Sequence, residues 1–307
     1  MKIPLIYNLR SVRQRPASTL ATALGMGLVV LVFIAMMALS RGFRAAIVET
    51  GSRENVIVVR SGADNELTSG LGREAANVIG GMPFVAVSPA GRRLVSPEVY
   101  VLVSLERVGD GGDALVVARG VSPDAFDVRK NVDLIAGRAI NHGASEILVG
   151  KNIVGRFAGT EVGGTINFAN RDWTVVGHFA AGGSAFESEI WGENEQFMPA
   201  FRGEVFQSIT FRMRDPSAFE SVRQALENDP RLPVSVYREY EFYARQSELL
   251  TQILNWAAVF VAGIMAVGAV FGAVNTMYAA VSARAPEIAV LLTLGFRPLS
   301  VLASFLF

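Results

Sequence analysis

Few residues of this 307-residue chain could do chemistry, and their spacing argues against most of it. There is no cysteine, which excludes disulfides, thiolate zinc sites, iron–sulfur clusters and a cysteine nucleophile. The two histidines, His142 and His178, stand apart and form neither an HxxxH nor an HExxH spacing. No imidazole pair is therefore set on one helix face to hold a metal. Ser184, in the run GGSAF, lacks the GxSxG elbow that would project a nucleophile from a strand-to-helix turn. Gly109 to Asp113 reads GDGGD, which looks like a phosphate loop, but no GxxxxGK[ST] occurs and no helix is expected after it. A hairpin turn is the reading. Glu187, Glu189, Glu193 and Glu195 alternate like one face of a strand or loop. Such a face could take a cation or a basic peptide, but a solvated face is favoured. No catalytic, cofactor-binding or metal site is expected.

The elements that would carry these residues are partly apolar. Hydrophobic residues make up 51% of the chain and charged residues 18%, with a mean hydropathy of +0.36. Soluble domains carry about a quarter charged residues, so membrane segments are expected. Net charge is zero and the pI about 6.8, which gives nucleic acid no basic surface to bind. Pro16 to Ser40 contains no charged residue. As a helix it rises roughly 36 Å, more than the ~30 Å hydrocarbon core, and it is longer than the ~7–15-residue apolar core of a signal peptide. A membrane helix is placed at 18–40. A second uncharged run of 35 residues, 249–283, is read as a long membrane helix that must tilt, bend or project. Within it Gly268 and Gly272 form a GxxxG, and with Asn275 they are the candidate bundle-packing residues.

Four basic residues and no acidic one lie among the first 17 residues. The positive-inside rule places that segment, 1–17, in the cytoplasm. Residues 41–248 carry 22 Lys and Arg against 27 Asp and Glu and are assigned outside the cytoplasm. The runs at 55–60, 99–105, 114–121, 147–150, 165–168 and 173–179 predict strands. Helices are predicted at 72–82 and 216–229, the latter with Asp215 as cap and Phe219, Val222 and Leu226 on one face. The expected fold class is a membrane protein with α-helical transmembrane segments and a large α+β extracytoplasmic domain inserted between the first two helices. Segment 284–297 reads as a short cytoplasmic helix. Pro286 suits its first turn, Glu287 complements its positive N-terminus, and Gly295 and Pro298 end it. Residues 298–307 read as the start of a third membrane helix in a chain cut short.

The run Val274-Asn275-Thr276-Met277, followed by Arg284, Glu287-Ile288, Leu291 and Leu294-Gly295, resembles the FtsX-like permease family of bacterial ABC transporters. The runs 120–126, 134–138, 147–150 and 173–177 look like the MacB-like periplasmic core domain attached to such permeases. The resemblance implies a bacterial inner-membrane permease with its large domain in the periplasm and no cofactor of its own, ATP being bound by a partner ABC ATPase. It also implies an ATPase-coupling segment of Arg284, Pro286, Glu287, Ile288, Leu291, Gly295 and Arg297. Expected partners are that ATPase, a second copy or a sister permease, the lipid bilayer, and a periplasmic protein or substrate. Two roles stay open at this point: ATP-driven export or extraction of a substrate, and non-transporting regulation of a periplasmic partner such as a cell-wall hydrolase.

Overall fold

Val56-Ile-Val-Val59 has no polar side chain to offer solvent. In the computed structural model of the chain all four residues are buried, with strands on both sides and side-chain layers on both faces. A continuous apolar run is what a doubly covered strand requires. The structure describes residues 16–48, 50–109, 111–201 and 203–296, with 298 and 301. Residues 42–251 form one compact unit, and the residues up to 41 with those from 252 onward form another.

The first unit draws on α1 (Pro16–Val48) and the long helix that opens at Glu239. Unit 42–251 contains β1 (Asn55–Arg60), α2 (Arg73–Gly81), β2 (Val95–Glu106), β3 (Asp113–Val121), α3 (Ala125–Val128) and β4 (Asp133–Gly137). It continues with β5 (Glu146–Gly150), β6 (Thr165–Phe168), β7 (Arg171–Ala180) and β8 (Glu189–Glu193). Last come α4 (Asn194–Ala200), β9 (Ser208–Arg212), α5 (Phe219–Glu227) and β10 (Val234–Arg238). The strands join in the order β10-β1-β9-β2-β3-β8-β5-β7-β4, with β6 beside β7. The pairs β3–β8 and β5–β7 are parallel, and the remaining pairs antiparallel. An α+β domain is thus present, as expected.

Strand β2 changes partner along its length. Val95 to Glu98 pair with β9, and Val99 to Glu106 pair with β3. Pro97, which cannot donate to a ladder, stands just before the switch. GDGGD does form the β2–β3 connection: Glu106 faces Asp113, and Gly109 and Gly111 take positive φ. Two apolar layers cover the sheet. Val56, Val58, Ile147, Val149 and Trp173 belong to one; Ile57, Val59, Leu148, Trp191 and Phe186 belong to the other. Phe219, Val222 and Leu226 of α5 are buried in the first layer. The Asp215 carboxylate accepts the Ser217 N–H at 2.9 Å, but a 3-10 turn, Pro216–Ala218, precedes α5.

The apolar runs mark less than the whole helices. α1 continues past residue 40 to Val48, and α6 (Glu239–Ala283) begins ten residues before 249. Hydropathy finds the part of a helix suited to lipid, whereas the backbone ladder continues through charged turns at no penalty. Among the described residues two candidate spans, Ala23–Gly42 and the α6 helix, are long and apolar enough to cross a membrane. Between them the Ser40 hydroxyl donates to Asn255 Oδ1 at 3.0 Å, with Ser40 and Ala258 buried. α7 (Ala285–Thr293) follows a break at Arg284, with Pro286 in its first turn. Gly295, at φ +87°, closes it: Gly295 N–H donates to the Leu292 carbonyl and Phe296 N–H to that of Leu291. That is the Schellman pattern, which needs a residue free to adopt positive φ.

Candidate functional site

The most unusual chemistry of unit 42–251 is a group of ions with almost no access to water. Arg119, Arg129, Glu66, Glu98, Glu189 and Glu239 are each at most 5% exposed. Charged side chains are almost never this buried unless paired. Six segments deliver them to one face of the sheet: Glu98 on β2 where that strand changes partner, Arg119 on β3, Glu189 on β8, Glu66 from the 3-10 turn Glu66–Thr68, Arg129 from the residue after α3, and Glu239 from the first turn of α6.

Arg119 gathers three carboxyl groups. Its Nε and Nη2 donate to the two oxygens of Glu189 at 2.8 and 2.9 Å, and its Nη1 donates to Glu66 at 2.7 Å and Glu98 at 2.8 Å. Arg129 shares Glu98 with Arg119 and adds a fourth carboxyl group, Glu239. Its Nη1 and Nη2 bond Glu98, its Nε donates to Glu239 Oε1 at 2.8 Å, and its Nη2 reaches the Thr210 hydroxyl at 3.2 Å. The planar fork of arginine suits such multiple contacts, which a lysine ammonium could not reproduce. Glu239 Oε2 accepts the Ser52 N–H and the Asn55 side-chain N–H, both at 2.9 Å. Aromatic rings seal the group: Arg119 lies 4.7 Å from the Tyr100 ring and Arg129 4.8 Å from that of Phe186.

Burial alone would push the Glu98 carboxyl up, but Arg129 and Arg119 outweigh it and hold Glu98 below the usual carboxylate range. Glu189 goes the other way, pushed up by burial that Arg119 does not fully offset. Burial also pushes the Tyr100 phenol up, so it stays neutral. Both guanidiniums are held above their ordinary value: burial opposes their charge, and the surrounding carboxylates overcome it. What this arrangement can do is mechanical. It ties both halves of the sheet and the first turn of α6 into one ionic lattice. A second feature of the same place is Gly51, where a Cβ would lie 2.4 Å from Tyr240 N. The chain after α1 therefore touches the backbone of the α6 first turn.

The sequence matches the MacB-like periplasmic core domain over residues 19–229. The chain belongs to that family. The MacB-like domain match contains Glu66, Glu98, Arg119, Arg129 and Glu189, whereas Glu239 lies just beyond it. Similar solved structures include the periplasmic region of MacB from Actinobacillus actinomycetemcomitans, at 14% identity, with 67% of this chain and 94% of that one covered and a TM-score of 0.47. Another is the extracellular domain of the ABC-type transporter YknZ from Gram-positive bacteria, at 14% identity, with 60% and 99% covered and a TM-score of 0.45. No curated protein matches the chain.

Several expectations for this MacB-like domain need correction. Glu187 and Glu189 are not a solvated face; both are buried. Glu187 accepts the N–H groups of Ala181 and Gly183 and the Lys151 ammonium, so its carboxyl is lowered although burial opposes this. Glu193 holds His142 Nδ1 at 2.9 Å, and Glu195 forms a fork with Arg73 on the surface. Even spacing suggested one face, but a strand boundary at 188/189 and a helix start at 194 divide the four residues. His178 Nε2 donates to the Thr160 carbonyl at 2.8 Å. Ser184 is buried at the start of a 3-10 turn.

The expected packing residues Gly268, Gly272 and Asn275 lie exposed on α6, and among the described residues no atom beyond the helix's own backbone comes within 4 Å of a Cβ built at either glycine. Arg284, Pro286, Glu287, Ile288, Leu291 and Gly295 fall together on and around α7, whereas Arg297 lies outside the described residues. Of the six buried ions only Glu189 is among the sequence candidates; Arg119, Arg129, Glu66, Glu98 and Glu239 carry no motif that marks them. The one signal was Arg119 inside the apolar strand run Ala114-Leu-Val-Val-Ala-Arg-Gly-Val121.

Proposed function

We propose that this chain is the membrane permease component of a bacterial ABC transporter, with unit 42–251 in the periplasm. The observation that carries the reading is α6. Its first residue is locked into the buried ions of the MacB-like domain, and its last 35 residues are an uncharged run long enough to span a bilayer. A displacement applied at the cytoplasmic end of such a helix is delivered to the sheet through Glu239 and Arg129. The energy comes from ATP bound by a separate ABC ATPase, and the role of this chain is coupling rather than catalysis. Membership of the MacB-like family supports the periplasmic placement.

In this reading Arg284, Pro286, Glu287, Ile288, Leu291, Gly295 and Arg297 form the contact with the ATPase. The exposed Gly268, Gly272 and Asn275 face a second copy or a sister permease. The moved cargo is a substrate or protein on the periplasmic side.

Co-purification of the full chain with its cognate ATPase tests the contact. The wild-type chain should retain the ATPase and Glu287→Lys should lose most of it, because charge reversal at a helix N-terminus opposes the helix dipole as well as the contact. Retention by Glu287→Lys would move the contact elsewhere, and failure of the wild-type chain to bind any ATPase would remove the permease reading. Arg129→Lys tests the transmission separately. It keeps one charge but loses the fork between Glu98 and Glu239, so the ATPase should stay bound while transport falls.

A further inference from the structure

The buried ions do not balance. Four carboxyl groups, Glu66, Glu98, Glu189 and Glu239, share two guanidiniums, and all six side chains are buried. Around Arg129 the excess is met. Glu239 opens α6, where the helix N-terminus carries partial positive charge, and it also receives N–H groups from Ser52 and Asn55. Around Arg119 the further donors are neutral: the Trp191 indole N–H donates to Glu189 at 2.9 Å and the Ser208 hydroxyl to Glu66 at 2.8 Å, and neither adds positive charge. Glu66 and Glu189 both depend on that one guanidinium, which also serves Glu98.

Other groups facing this side supply no positive charge. They are the Tyr100 phenol from β2, the Trp191 indole from β8, the Tyr243 phenol from α6, and the Ser208 and Thr210 hydroxyls from β9. Two carboxylates on one buried cation cannot both stay ionised without a large penalty, and a proton is the smallest ion that removes it. The hydroxyl acceptors for such a proton are present: Ser208 Oγ lies 2.8 Å and Tyr243 Oη 3.4 Å from the Glu66 oxygens. A hydroxyl can reverse its bond to accept from a carboxylic acid.

We propose that the carboxyl groups gathered on Arg119 form a proton-binding site that holds one proton at neutral pH. The upward push of burial on Glu189 agrees with this, as does the further upward push from Glu66. The proton closes the charge balance directly beneath the first turns of α6. Its release leaves an unpaired carboxylate beside Tyr243 and weakens the seat of that helix. A carboxyl raised in the folded state stabilises below its unfolded pKa and loses that contribution as pH rises through its folded value. The seat of α6 therefore loosens on the alkaline side. This inference needs only the domain structure and does not rest on the permease reading.

Infrared spectroscopy of the full chain in detergent tests it. At neutral pH the wild type should show the carbonyl stretch of a protonated carboxylic acid, which vanishes as pH rises. Glu189→Gln or Glu66→Gln should abolish that band. Each should also keep its melting midpoint through the alkaline range, since glutamine mimics the neutral acid, whereas Glu98→Gln should lower the midpoint at neutral pH. Absence of the band from the wild type overturns the proposal even if no variant folds. Persistence of the band in both Glu189→Gln and Glu66→Gln overturns it as well.

Discussion

At Arg129 one side chain carries contacts that no neighbour can replace. Arg129→Met would leave Glu98 and Glu239 buried without their bridge. Removing one partner of a buried ion pair costs about 3–5 kcal/mol, because the remaining charge loses its compensation and gains no water. Denaturant unfolding of the full chain should show a loss of that order. Glu98 gives a pH signature. Arg129 and Arg119 overcome burial and hold its carboxyl low, so its contribution is complete above the ordinary carboxylate range and is lost as pH falls through the lowered value. Melting midpoints recorded across the acid range should fall less steeply in Glu98→Gln than in the wild type. On the surface, Arg138 holds Glu146 at about 2, but Arg138 is half-exposed and such a pair contributes little. These residues were hard to read in sequence for a physical reason. A glutamate in a line of letters carries no mark of burial, and Glu66, Glu98 and Glu189 become neighbours only when distant strands pair.

Elements were easier to read than their ends. Periodicity located α2 and α5 and the strand runs because a half-buried face imposes its repeat on the sequence. The uncharged run 249–283 covers only part of α6, because Glu239, Glu241, Arg245 and Glu248 add charge without interrupting the helix. That early start is what brings the helix into contact with Gly51. A Cβ at Gly51 would lie 2.4 Å from Tyr240 N and 2.5 Å from the Glu239 carbonyl carbon, and neither backbone atom can swing aside. Gly51→Val should therefore destabilise unit 42–251 by about 1–3 kcal/mol, the usual range for overpacking. Amide hydrogen exchange should accelerate at 239–243, while strands β5 and β7 keep their protection. Equal acceleration throughout the sheet would show that Gly51 supports the whole domain and not the helix seat alone.

On the scale of the whole molecule, two helices suited to lipid accompany one polar domain built from the residues between them. Leu24, Leu28 and Leu31 of α1 are exposed, as bilayer-facing side chains are. Replacing Leu28 and Leu31 by arginine adds about 2.5–3.5 kcal/mol per residue to insertion at the helix centre. Carbonate washing of membranes should leave the wild-type chain in the pellet and release a larger share of the double variant. By itself the sequence determined the apolar runs, the α+β character of the domain between them, and the family resemblance, since these depend on local pattern and composition. Tertiary structure alone decided that β2 changes partner at Glu98, that Glu187 and Glu189 turn inward, and that Arg119 and Arg129 meet at Glu98 while Arg129 also holds Glu239 of α6. Glu66 and Arg119 are 53 positions apart, and Arg129 and Glu239 are 110 apart. Contacts over such separations follow from strand order and register, which local pattern does not encode.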